Sequence, residues 1–221
     1  MAEVYGVKPK LFTKEWWPYF WEYYKWHTIW AIGIIIAIII TIIQFTDKGK
    51  YDLVVTYCGT EFCSEEQSEK LTNSLEDVIE DVNGDDEKHI RFDTLTINGI
   101  DGMDQQDYTI RMKHHLDFAD ELHYLYMYSE DELEKKLNIE YYDELYLPVD
   151  EWNVEEIPDD LLVRGDDGKP YAVSLKNSSV LKDCGIDGSL LYVTVKNDST
   201  YKNTNEKVKN SAFKMAEKLI K

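Results

Sequence analysis

The side chains best suited to chemistry fall in a few places along this 221-residue chain. His114, His115 and His123 stand close together with Asp117 and Glu121, the donor types of a zinc site. Zinc held on a helix takes histidines at i and i+4, as in H-E-x-x-H, and no two of these three have that spacing. They read as surface or partly buried histidines. Asp81-Val-Asn83-Gly-Asp85 opens like a calcium loop, which needs oxygens at positions 1, 3, 5 and 7, glycine at 6 and a bidentate acid at 12. Here the sixth position is Asp86 and the twelfth is Phe92, which cannot ligate, so a turn is expected instead. Cys58 and Cys63 bracket Gly-Thr-Glu-Phe; they read either as a small disulfide, with Cys184 left over, or as small buried hydrophobes. No second cysteine pair is offered for a metal. The sequence also has no nucleophile elbow, P-loop, Rossmann glycine pattern or cysteine–histidine motif. Carboxylates are so abundant that no pair stands out. These residues give no catalytic group, metal or cofactor, and the expectation is a non-enzymatic protein.

The elements that would position a binding site lie in residues 51–221, long enough for one domain with a proper core. This region has 18 basic and 39 acidic residues, a net charge of −21, which excludes nucleic acid as a partner. Residues 51–57 (YDLVVTY) read as a buried strand ending at Gly59. Ser64-Glu-Glu-Gln67 is a capping-box pattern that opens an amphipathic helix over 65–82, closed by Asn83-Gly84-Asp85. Residues 89–97 alternate as a strand, and 104–120 form a helix with Tyr108, Met112, His115 and Ala119 on one face. Residues 122–128 return as a strand, and Ser129-Glu-Asp-Glu132 is a second capping box for a short helix to Leu137. An irregular, acidic and aromatic stretch follows over 138–169. Strands at 171–175 and 190–196 and a closing helix from Asn205 complete the order. Strand–helix–strand alternation of this kind predicts an α/β domain with a mostly parallel sheet covered by helices.

Ahead of this domain, residues 28–45 (TIWAIGIIIAIIITIIQF) are eighteen residues without a charge, ten of them isoleucine. As a helix this run is about 27 Å long, close to the ~30 Å hydrocarbon layer of a bilayer. Its isoleucines favour insertion by roughly 3–6 kcal/mol, partly offset by Gly33, Thr41 and Gln44. Upstream, EWWPYFWEYYKWH supplies the aromatic rings that prefer the headgroup level. A continuous helix over 18–45 is favoured over a separate helix lying flat in the interface, because Pro18 suits a first turn and no breaker follows. Four lysines precede the span (Lys8, Lys10, Lys14, Lys25) and two follow it (Lys48, Lys50). This bias places residues 1–17 in the cytoplasm and the domain outside, at the cell membrane, as a single-pass protein. Residues 46–50 form a linker reaching at most about 17 Å, which keeps the domain against the outer leaflet. Gly33, Ala37 and Thr41 recur at i, i+4 and i+8, a small-residue face on which two spans could pair as a homodimer.

Several phrases of the outer domain resemble extracytoplasmic solute-binding proteins of the type II periplasmic-binding fold. YDLVVTYCGTEFCSEEQ is similar to their opening strand, loop and helix, and ADELHYLYMYS to their strand leading to the ligand crevice. GKPYAVSL resembles their G-K-x-Y-A-V-P-L return strand, with Ser174 where proline is usual, and LYVTVKNDS with AFKMAEKLIK resembles their closing strand and helix. A juxtamembrane YYKWH before such a domain is similar to uncharacterised membrane proteins of Gram-positive, clostridia-like bacteria. The resemblance implies a three-layer α/β periplasmic-binding-like domain cut to a single lobe, with its crevice at the strand ends. By position those ends are Thr60 and Glu61 after the first strand, and Tyr128 and Ser129 after the third. The 138–169 insertion adds Tyr141, Tyr142, Tyr146 and Trp152 for stacking on a sugar or peptide. Two functions fit this reading: binding of a small molecule, peptide or membrane-protein partner, or a structural role in the assembly of a membrane complex without a pocket.

Overall fold

The computed structural model describes residues 10, 13–14, 16–60, 63–97, 105–155, 157–199 and 205–221, with the backbone alone at 44–48 and 105–107. The chain divides into two compact units, Met1–Gly49 and Lys50–Lys221.

The first unit is one helix, α1 (Trp16–Lys48). It begins two residues before the expected start and continues three beyond the expected end, so the linker is shorter than its sequence suggests. Pro18 falls in the first turn, where its missing N–H leaves no helical bond unmade. Trp16 stacks on Phe20 (4.9 Å) and Phe20 on Tyr24 (5.8 Å), rings one turn apart that brace the start of the helix. Thr28 and Thr41 return their hydroxyls to the carbonyls of Tyr24 (3.0 Å) and Ala37 (2.8 Å), so each polar group is satisfied within the helix itself. The segment Trp16–Ile43 is long and apolar enough to cross a membrane, and no residue of its most apolar stretch is buried.

The second unit is a six-stranded sheet with helices on both faces. Its elements run β1 (Leu53–Gly59), α2 (Glu65–Leu75), β2 (Ile90–Thr96), α3 (Gln105–Asp117), β3 (His123–Ser129), α4 (Glu130–Leu137) and α5 (Tyr142–Leu145). They continue with β4 (Leu162–Arg164), β5 (Pro170–Ser174), α6 (Ser179–Asp183), β6 (Leu191–Val195) and α7 (Glu206–Ile220). The spatial order is β2-β1-β3-β6-β5-β4. β1 pairs in parallel with β2 and β3, but β3–β6, β6–β5 and β5–β4 are antiparallel. The sheet is therefore mixed rather than mostly parallel. A helix long enough to cross over follows β1 and β2, whereas β4 and β5 are joined by a tight turn at 165–168 (Gly168 N–H to Gly165 O, 3.0 Å) that forces opposite directions.

Alternation along the strands fills a core on each face. Leu53, Val55 and Tyr57 of β1, Met127 of β3 and Val193 of β6 pack under α2, α6 and α7. Cys58, Tyr126 and Tyr128 point the other way, against Phe118, α4 and α5. Asp52, fully buried, accepts backbone N–H groups from Val82 (2.7 Å), Asn83 (3.2 Å) and His89 (2.9 Å), which ties the connection before β2 to the start of β1. Asp81 accepts from Gly84 N–H (2.6 Å) and Asp86 N–H (3.1 Å), the turn chemistry expected there.

Three local expectations need correction. The helix after Ser64 stops at Leu75 rather than 82, and Val78 and Ile79 reach the core from the following turns. α3 is rolled: Tyr108 and Met112 are exposed, together with Leu116, while His114 and Phe118 are buried. The second capping box does not form, because Glu132 turns into a bidentate pair with Arg111 (2.9 and 3.1 Å) and also meets Lys135 (2.8 Å). At Ser64 the reciprocal cap is made, with Gln67 N–H to Ser64 Oγ (3.3 Å) and Ser64 N–H to Gln67 Oε1 (2.9 Å).

Candidate functional site

Parallel strands β1 and β3 run side by side and end together, and this shared end builds a crevice. β1 closes on Gly59, where no side chain fits: a methyl would lie 2.6 Å from Tyr57 Oη and press on Ser129 Oγ. Tyr57 donates its hydroxyl to the Thr60 carbonyl (2.5 Å), which folds the chain over the strand end. Burial pushes the Tyr57 phenol up to about 12, so it stays a neutral donor. β3 closes on Ser129, the residue that starts α4 and leads into Glu130 and Asp131. Across from them the turn before β6 is held by Ser189 N–H to Asp187 (2.9 Å) and Leu191 N–H to Gly188 O (3.1 Å).

Between these three pieces lies an open cavity of about 280 Å³. Tyr57, Leu190 and Leu191 supply its apolar walls; Glu130, Asp131 and Asp187 supply its charge; no lysine or arginine lines it among the described residues. A backbone hydrogen bond to Ser189 holds the Asp187 carboxyl below its usual range. Among the described residues no three or more His, Cys, Asp or Glu groups converge closely enough to hold a metal ion.

Of the five expected ligand residues, Thr60 and Ser129 line this cavity. Tyr128 and Trp152 do not, and Glu61 lies outside the described residues. Side chains alternate across a strand, so Tyr128, one residue before Ser129, points into the core. There it is fully buried, bonded to His114 Nε2 (2.7 Å) and the Tyr146 hydroxyl (2.8 Å). Trp152 packs into the core on the α7 side and donates Nε1–H to Leu147 O (3.0 Å). Tyr142 and Tyr146 are also core residues; of the aromatics expected in the insertion to stack on a ligand, only Tyr141 is exposed. Sequence reasoning missed Tyr57, Glu130, Asp131, Asp187 and Leu190. The Asp187-Gly188-Ser189 turn signal was present, but nothing in it showed that β6 lies beside β3.

The Cys58–Cys63 disulfide is not formed, and Cys58, Cys63 and Cys184 are all free thiols. Cys58 faces the α3–α4 side of the sheet while Cys63 packs on the other core, which sets the two sulfurs on opposite faces. Burial pushes the Cys58 thiol up to about 12, which removes it as a nucleophile. Its neighbours His114 and Tyr128 are likewise held neutral by burial, the imidazole well below and the phenol well above their usual ranges. Beside them Phe118 stacks on Tyr126 at 4.5 Å, and the cluster is a packed interior rather than a second cleft. Comparison of the chain with protein-family models, with curated proteins and with solved structures finds no match.

Proposed function

We propose that this chain is a single-pass membrane protein whose periplasmic-binding-like, single-lobe α/β domain stands outside the cell and binds a ligand without transforming it. The observation that carries the reading is the position of the crevice. The chain passes from β1 to β2 on one side, then crosses to β3 on the other, so β1 and β3 flank the point where strand order reverses. Ligands of open α/β sheets sit outside the carboxyl ends of strands at that point, and the 280 Å³ cavity lies there. The test is thermal unfolding of the full chain in nanodiscs against a panel of amino acids, short peptides and sugars. A stabilising compound is expected, and Thr60→Trp, an exposed position that fills the cavity, should abolish the stabilisation. No stabilisation by any compound counts against the reading.

A second reading, an assembly subunit of a membrane complex, is favoured by one feature. Tyr108, Met112 and Leu116 stand one turn apart on α3 and are 64%, 46% and 65% exposed. Purification in mild detergent separates the two. A stoichiometric membrane partner lost on Leu116→Asp supports assembly; a lone chain counts against it.

A further inference from the structure

We infer that the crevice at the ends of β1 and β3 takes a small organic cation, an ammonium or guanidinium group on a short apolar stem. The inference rests on the binding reading above and names the ligand class of that site.

A helix that starts at such a crevice ordinarily favours an anion, because its first N–H groups and its dipole present positive charge. α4 has cancelled this end with its own side chains: Glu130, Asp131 and Glu132 occupy its first turn. Glu132 is drawn away by Arg111 and Lys135, which leaves Glu130 and Asp131 on the cavity side. Asp187 faces them from the turn before β6. Among the described residues Glu130 has only a long contact from the Tyr192 hydroxyl (3.5 Å), and Asp187 accepts from the backbone N–H of Ser189. An anion would meet three like charges here; a cation would find carboxylates on two sides.

A second observation points inward. Ser129 Oγ is buried at the cavity wall, makes no cap bond to α4 and, among the described residues, has no hydrogen bond of ordinary length; the Tyr57 hydroxyl beside it donates to Thr60 O instead. Buried hydroxyls are rarely left so, and an N–H donor in the crevice would satisfy it. The walls decide between a metal ion and an organic cation. Leu190, Leu191 and the Tyr57 ring suit a hydrocarbon stem, and the three carboxylates do not converge as a metal requires. The volume of about 280 Å³ equals that of about nine waters, room for one small molecule.

The test is titration calorimetry on the full chain in phosphatidylcholine nanodiscs, with agmatine as the cationic probe, glutarate as the anionic and glucose as the neutral one. Agmatine is expected to bind wild type, and Glu130→Gln with Asp187→Asn to weaken it at least tenfold. Thr60→Trp, which leaves the charge unchanged, should abolish binding, which separates the crevice from general attraction to an acidic surface. Glutarate or glucose binding that Thr60→Trp removes, without agmatine binding, would overturn the cation inference and leave the crevice reading intact. Agmatine binding indifferent to Thr60→Trp overturns the inference for this site. No binding by any probe sinks both.

Discussion

Asp117 and His123 act on stability in opposite directions as pH changes. Burial raises the Asp117 carboxyl to about 6, so the folded chain keeps a proton that the unfolded chain releases from about 3.8 upward. Its contribution therefore falls as pH rises through that window and is lowest above 6. His123, bonded through Nδ1 to Thr56 (2.9 Å), is pushed by burial down to about 4. The unfolded chain takes up that proton from about 6.5 downward, so this contribution is complete above 6.5 and is lost as pH falls toward 4. His114, lowered further by deeper burial, adds to the acid loss. Asp117→Asn should therefore unfold at higher urea than wild type at pH 7 and lose stability more steeply between pH 6.5 and 4. A profile parallel to wild type would contradict this account. Glu132→Gln strands Arg111 and Lys135 and is expected to cost about 2–3 kcal/mol by urea unfolding, somewhat less than a fully buried pair because Arg111 is partly exposed. At this scale the sequence was least legible. Whether Tyr128 or Ser129 reaches the crevice depends on a single step of strand phase, and hydrophobicity alone does not fix that phase when both faces of YLYMYS are apolar, tyrosines on one and Leu125 and Met127 on the other.

At the scale of elements, the two capping-box patterns behaved differently, and the difference is measurable. Ser64→Ala removes a formed cap and should cost about 1 kcal/mol, whereas Ser129→Ala removes none and should cost well under that in the same denaturation assay. On α3, Leu116→Lys should change stability by less than about 0.5 kcal/mol, while Phe118→Ala, just past the helix, should cost about 3–5 kcal/mol. Equal losses at the two positions would mean that α3 is rolled the other way. The order of strands and helices was readable because β-branched runs, caps and Gly turns agree with one another. β4 and α6 were missed because three and five residues are too few to show a period. The roll of α3 was misjudged because its inward face carries His114 and Arg111, polar groups taken in by specific partners, while Tyr108, Met112 and Leu116 remain outside.

For the molecule as a whole, the span was the clearest signal and the sheet direction the faintest. Deleting residues 16–43 should move the chain from the carbonate-resistant membrane fraction to the soluble one, and retention in the membrane would show another attachment. Orientation is checked by protease added to intact cells, which should reach the acidic domain. Parallel or antiparallel pairing was hidden because it depends on which strands become neighbours, a property of the 138–190 region that no local pattern carries. That neighbour choice also has a kinetic side. β6 sits between β3 and β5, yet Leu191 is synthesised 62 positions after its partner Ser129. Until β6 arrives, β3 has an open edge and the β4–β5 hairpin has nowhere to dock. Folding must then close a long loop late, which slows it relative to a fold built from local contacts alone. Val193→Ala in β6 is expected to slow refolding as well as speed unfolding. The nascent chain thus carries an unguarded strand while the 62 positions between Ser129 and Leu191 are made, the interval in which a foreign strand could take the place reserved for β6.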